Sequence, residues 1–75
     1  MNVLVVDDEK LIRDVIKEYL LLEKMSVTEA ENGLEAIDKV KDGDFDIIIM
    51  DIMMPKMDGY TACREIKKIK DIPFI

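Results

Sequence analysis

Two segments of the chain are apolar on both faces of a two-residue period: Val3, Leu4, Val5 and Val6 after Asn2, and the run from Phe45 to Met50. A strand with no polar face must be covered on both sides, as is a central strand of a parallel sheet flanked by helices. Residues 26 to 30 (Ser26, Val27, Thr28, Glu29, Ala30) instead alternate polar and apolar, the pattern of a half-exposed edge strand. From Glu9 to about Lys24, the residues Leu11, Ile12, Val15, Ile16, Tyr19, Leu20 and Leu22 recur at three- and four-residue spacing. That spacing predicts a helix with one wide buried face, capped by Asp8.

A second, shorter helix is predicted where Asn32 followed by Glu35 resembles a capping box, with Leu34, Ile37 and Val40 as its apolar stripe and Gly43 as its stop. Pro55 and Gly59 interrupt regular structure after the second two-faced strand. Asp58 can then cap a third helix carrying Tyr60, Cys63, Ile66 and Ile69 on one side, and residues 71 to 75 (DIPFI) begin a fourth strand.

Strands alternating with helices define an α/β fold, β-α-β-α-β-α-β, whose crossovers are right-handed. With the second strand at an edge and the first and third central, the strand order is 2-1-3-4. The first helix then lies on one face, and the second and third on the other. In such sheets a ligand binds beyond the carboxyl ends of the strands where the winding reverses, here between the first and third strands. Those ends carry Asp7, Asp8 and Asp51, on strands only ~4.8 Å apart.

Composition narrows what can occupy that crevice. A chain of 75 residues makes one small domain that buries only about 60% of its unfolded surface. Its net charge of −6 and lack of a basic cluster argue against direct binding of nucleic acid or an anionic membrane, and favour a cation. Without any histidine, histidine zinc sites and Ser/His/Asp or Cys/His catalysis are excluded within the chain. The single cysteine, Cys63, can form no internal disulfide, which fits a cytoplasmic setting. No apolar run approaches the ~20 residues that span a bilayer, and the N-terminus lacks the pattern of a signal peptide.

Three carboxylates held close together repel one another unless a proton or cation intervenes. Mg2+ suits them: it prefers oxygen ligands, takes one or two carboxylates, and keeps waters that a phosphate can replace. A metal there would neutralise the oxygens of an incoming phosphoryl group, and Asp51 would attack phosphorus to give an aspartyl phosphate.

The segments VLVVDDE, FDIIIMD and MMPKMDG, in that order and spacing, resemble the receiver domain of two-component response regulators, of which the chemotaxis regulators are one form. The resemblance spans the whole chain and implies a flavodoxin-like fold. It implies that Asp7 and Asp8 are the metal-binding acidic pair, that Asp51 is the phosphoryl acceptor, and that Met53 offers its backbone carbonyl to Mg2+. Pro55 and Gly59 match the loop after the acceptor. A histidine kinase would donate the phosphoryl group, so the chain would be a signalling acceptor rather than an enzyme.

Receivers continue with a Ser or Thr ending the fourth strand, an aromatic residue and a Lys on a fifth, and further helices. None falls within residues 1 to 75, and Lys56 is not at the position of that lysine. The chain therefore reads as a truncated receiver, its N-terminal half, with phosphotransfer impaired. The alternative is a non-switching folding or assembly module. Whichever of Ile47, Ile49, Phe74 and Ile75 point to the face that one helix covers are left bare, so a homodimer or larger homo-oligomer is expected.

Other features have plainer readings. DGDFD (residues 42 to 46) imitates a calcium loop but places Ile47 and Met53 where Gly and Glu are needed. Met50, Met53, Met54 and Met57 fill gaps in packing, Cys63 is a small buried hydrophobe, and Lys67, Lys68 and Lys70 suit a helix C-terminus. No glycine-rich phosphate fingerprint is present.

Overall fold

Val3, Leu4, Val5 and Val6 are all 0 or 1% exposed, which only a strand covered on both faces and paired at both edges allows. The computed structural model describes residues 1–51 and 59–75 and shows how this is done. The elements run β1 (Asn2–Val6), α1 (Lys10–Leu22), β2 (Ser26–Ala30), α2 (Gly33–Asp42), β3 (Ile47–Met50) and α3 (Gly59–Ile69). The sheet is parallel with order β2-β1-β3, and β1 is central as its pattern requires.

Register divides the core in two. Leu4, Val6, Ala30 and Ile48 meet Ala36 and Val40 of α2, Ile66 of α3, and Ile72. Val3 and Val5 meet Leu20 of α1, with Ile16, Met25, Val27, Ile47 and Ile49 packed around them. So, among the described residues, α1 lies alone on one face, and α2 and α3 share the other. No helix among the described residues is long and apolar enough to cross a membrane.

The expected fourth strand begins on the outer edge of β3. Ile48 N–H donates to the Pro73 carbonyl and Ile75 N–H to the Ile48 carbonyl, both at 2.9 Å. This is a single parallel bridge, Ile48 to Phe74, rather than a ladder; it sets the segment beside β3, where a fourth strand is expected, while the sheet itself is three-stranded. The third strand is shorter than its apolar run. Asp46 has turned to bond Asn2, its carboxylate accepting the Asn2 N–H at 2.7 Å, while Phe45 packs beside the larger core.

The helices sit differently from the expectation. Their inward positions follow one spacing, i, i+3, i+7: Arg13, Ile16 and Leu20 in α1, Gly33, Ala36 and Val40 in α2, Gly59, Ala62 and Ile66 in α3. In α1 the outer residues Leu11, Val15, Tyr19 and Leu22 are 64 to 82% exposed, because the helix rests on β1 and β2 along a stripe narrower than its apolar face. Leu34, Tyr60 and Ile69 likewise face outward. Small residues occupy the inner rows of α2 and α3, letting these two helices approach each other closely, while α2 also rests on β1 and β2.

The caps differ too. Glu9 is the N-cap of α1 and makes no side-chain capping bond. Asp7, not Asp8, accepts the Glu9 N–H at 2.9 Å, since Asp7 still follows the strand and its side chain turns back over the first helical turn. Asn32 caps α2 as predicted, accepting the Glu35 N–H at 2.9 Å. The proposed Asp58 cap, together with Met53, Met54, Pro55, Lys56 and Met57, lies outside the described residues.

At the end of α1, Met25 N–H donates to the Leu20 carbonyl and Lys24 N–H to the Leu21 carbonyl, at 3.1 and 3.0 Å. This is a Schellman closure, and Leu20 and Met25 supply its accompanying apolar contact. Lys24 occupies its left-handed position with φ 63°, which glycine adopts without the steric penalty of a Cβ. Lys24→Gly is expected to stabilise the chain by about 1 kcal/mol, read as a higher midpoint in urea unfolding; a lower midpoint would mean that glycine's extra unfolded-state freedom outweighs the relieved strain.

Candidate functional site

The ladder continues one residue past each of the two central strands. Asp7 N–H donates to the Ala30 carbonyl at 3.1 Å, and Asp51 N–H to the Val6 carbonyl at 3.0 Å. Both acids are therefore fixed by their backbones at the carboxyl end of the sheet, in the crevice where the winding reverses. Asp8 follows in the turn to α1. Carboxylate oxygens of Asp7, Asp8 and Asp51 lie within 4.8 Å of one another, with Asp7 and Asp51 half-buried and Asp8 exposed. The three acids singled out in the sequence are thus brought together; Met53, the fourth expected ligand, is outside the described residues.

A hard cation with oxygen ligands suits this donor set. Asp7 has one carboxylate oxygen engaged by the Glu9 N–H, which restricts its rotamer, while Asp8 reaches the cluster from the solvent side.

Sequence reasoning missed the side chain behind these acids. Arg13 is 8% exposed, and its Nη1 donates to the Asp7 backbone carbonyl at 2.8 Å. Its Nε donates to Glu29 at 3.2 Å, and Lys17 donates to the other oxygen of Glu29 at 3.3 Å. The available signal was positional: Arg13 begins the row continued by Ile16 and Leu20, so a charged residue occupies an inward position.

Other candidates resolve as structural. Cys63 is half-buried; burial pushes its thiol above the usual range, against the opposing pull of Lys67, which disfavours a reactive thiolate. Lys70 does more than complement a helix end: its ammonium donates to the Gly43 carbonyl at 2.8 Å and to Asp44 at 3.0 Å. With Asp46 bound to Asn2, two acids of DGDFD, Asp44 and Asp46, are used in holding the opposite end of the sheet.

The family model for the response regulator receiver domain matches residues 3–75. The chain is 47% identical over 74 residues to the transcriptional regulatory protein ResD of Bacillus subtilis, covering 99% of this chain and 31% of that one. A crystal structure of the response regulator protein TrrA of Thermotoga maritima in complex with Mg2+ and BeF superimposes with a TM-score of 0.88 at 45% identity, covering 92% of this chain and 60% of that one. TrrA in complex with the histidine kinase ThkA aligns with a TM-score of 0.90 at 43% identity, covering 97% of this chain and 64% of that one. The chain thus spans about a third of that curated relative and less than two thirds of these solved ones.

The geometry has a direct consequence for stability. Removing one of three clustered anions relieves repulsion, so without divalent cation Asp8→Asn should melt at a higher temperature than the native chain, by a margin that shrinks as salt is added. Melts that coincide at low ionic strength would show that the carboxylates do not measurably repel.

Proposed function

The chain belongs to the response regulator receiver domain family, and from that premise we propose that it accepts a phosphoryl group on Asp51 from a histidine kinase, with Mg2+ held by Asp7, Asp8, Asp51 and the Met53 backbone carbonyl. The observation that carries this reading is the convergence of the three carboxylates within 4.8 Å at the ends of β1 and β3. The kinase complex of TrrA supports the class of donor, and its Mg2+–BeF complex supports the cation. The absence of histidine from the chain is consistent with a phosphohistidine supplied by a partner.

In the transfer, a carboxylate oxygen of Asp51 bonds to phosphorus as the bond from phosphorus to the donor's imidazole nitrogen breaks, and the imidazole keeps the electron pair. When bound, Mg2+ neutralises charge on the phosphoryl oxygens. The chain's own contribution is positional. The bond from Asp51 N–H to Val6 fixes the nucleophile's backbone, and half-burial limits its motion. The setting is cytoplasmic, and the domain itself binds neither nucleic acid nor membrane.

The hydroxyl and lysine that the resemblance implies fall on no residue of the 75, so the 75-residue chain tested by itself is expected to transfer inefficiently. With Mg2+ and a small acyl phosphate, mass analysis is expected to find a minor adduct of one phosphoryl group, absent from Asp51→Asn. A near-stoichiometric, stable adduct would show that those groups are dispensable; an adduct surviving in Asp51→Asn would assign the acceptor elsewhere.

The second reading, an assembly module, is favoured by one observation. Leu11, Val15, Tyr19 and Leu22 form an exposed apolar row on α1, on the face where Ile47 and Ile49 are only half-covered. For the 75-residue chain by itself, a second copy packed two-fold against this face removes the patch from water. Sedimentation at micromolar concentration should give a dimer or larger species that Val15→Glu dissociates. A well-folded, soluble native monomer rules this reading out.

A further inference from the structure

Arg13 brings a positive charge into a chain with little interior to spare. Burying a charge is unfavourable unless it is paired and hydrogen-bonded, and Arg13 shares its only carboxylate partner among the described contacts, Glu29, with Lys17. The trio therefore carries a net charge of +1, directly behind three anions. Simple charge balance is one account of this arrangement. The hydrogen bonds point to another.

The guanidinium is a planar fork whose donors have fixed relative directions. One arm, Nε, is held by Glu29 on β2; another, Nη1, reaches the Asp7 carbonyl in the β1–α1 turn; the stem rises from α1. Three elements meet through one side chain where the acids leave the sheet. The carbonyl it holds belongs to the peptide unit joining Asp7 to Asp8. Fixing that plane restricts ψ of Asp7 and φ of Asp8, and so sets how the two carboxylates are presented to Asp51.

We propose that Arg13 is a positioning residue for the acidic site, orienting the Asp7–Asp8 peptide through its bond to the Asp7 carbonyl while Glu29 holds the guanidinium in place. The proposal rests on the Mg2+ reading given above. Groups that orient metal ligands from behind typically change metal affinity by about 10- to 100-fold when removed. Charge balance and positioning predict opposite signs: loss of a nearby positive charge should tighten Mg2+ binding, whereas loss of orientation should weaken it.

Calorimetric titration with Mg2+, on the whole chain and with folding checked by circular dichroism, separates the two. Arg13→Met should weaken Mg2+ binding about tenfold. Arg13→Lys keeps the charge but loses the fork, and should also weaken it. Lys17→Met removes the same charge without touching the Asp7 carbonyl, and should leave affinity unchanged or raise it. If Arg13→Met does not fold, Arg13→Lys carries the test by itself, because it holds the charge constant and charge balance then predicts no weakening.

The Asp8 amide resonance, from the nitrogen of the held peptide, should shift in Arg13→Lys more than in Lys17→Met, with or without metal. Native binding that persists unchanged or tightens in Arg13→Lys overturns the positioning role while leaving the metal site standing. A native chain that binds no Mg2+ overturns the metal reading instead, and an undisturbed Asp8 resonance in Arg13→Lys then overturns the positioning role as well.

Discussion

Complete burial of β1 is the constraint from which the rest of the structure follows. Four consecutive aliphatic residues at 0 or 1% exposure require a strand on each edge and a layer on each face. Parallel neighbours on both edges, β2 and β3, force crossovers through helices. Because β2 and β3 lie on opposite sides of β1, those crossovers leave toward opposite faces. The point of reversal is the end of β1, where the chain places Asp7 and Asp8. The acidic site is therefore a product of topology: any sequence that buries β1 in this way delivers whatever follows Val6 and Met50 into one crevice.

The two faces are not equivalent. α2 and α3 pack closely on each other and bury Gly33, Ala36, Gly59 and Ala62, and the core they share with the sheet takes in Ala36, Val40, Ile48, Ile66 and Ile72. On the other face, among the described residues, only Leu20 joins Val3 and Val5 as a buried group. That side depends more on polar fastening: Arg13, Glu29 and Lys17 link α1 to β2, and the Schellman closure at Lys24 turns the chain directly into β2. A salt-bridged fork between a helix and an edge strand contributes less stability than a filled core, but fixes direction more narrowly.

The difference explains what could be read in the sequence. Strand positions were legible because an apolar run on both faces of a two-residue period has few alternatives: β1 and β2 lie where the pattern puts them, and β3 lost only Phe45 and Asp46 to the bond with Asn2. Helix positions were legible, and their faces in part: Ile16, Leu20, Ile37, Val40 and Ile66 turn inward as their stripes predict. Reading the large residues alone favoured Leu34, Tyr60 and Ile69, whereas close approach selects Ala36 and Ala62, which a hydrophobic stripe underweights. In α1 the apolar surface was wider than the sheet could cover, and Arg13 entered the inward row in place of an aliphatic residue. The acids were legible through their position at strand ends; the guanidinium behind them was not, because its role depends on a backbone carbonyl that carries no sequence signature.

How a small domain tolerates three gathered anions then becomes a question about where each is anchored. The fixed parts are the backbones: Asp7 N–H on Ala30 and Asp51 N–H on Val6 extend ladders whose stability comes from the buried strands behind them. The carboxylates themselves stay half-buried or exposed, where water screens their repulsion and deep desolvation is avoided. Moving the backbones of Asp7 and Asp51 apart would require breaking the ladder at the end of β1 or β3, so the repulsion can relax through side-chain rotation but not through the strands. What remains adjustable is the one peptide between Asp7 and Asp8, outside the ladder, and that is the peptide whose carbonyl Arg13 holds. The ladder sets the distance between the acids, and the guanidinium sets the direction in which they face.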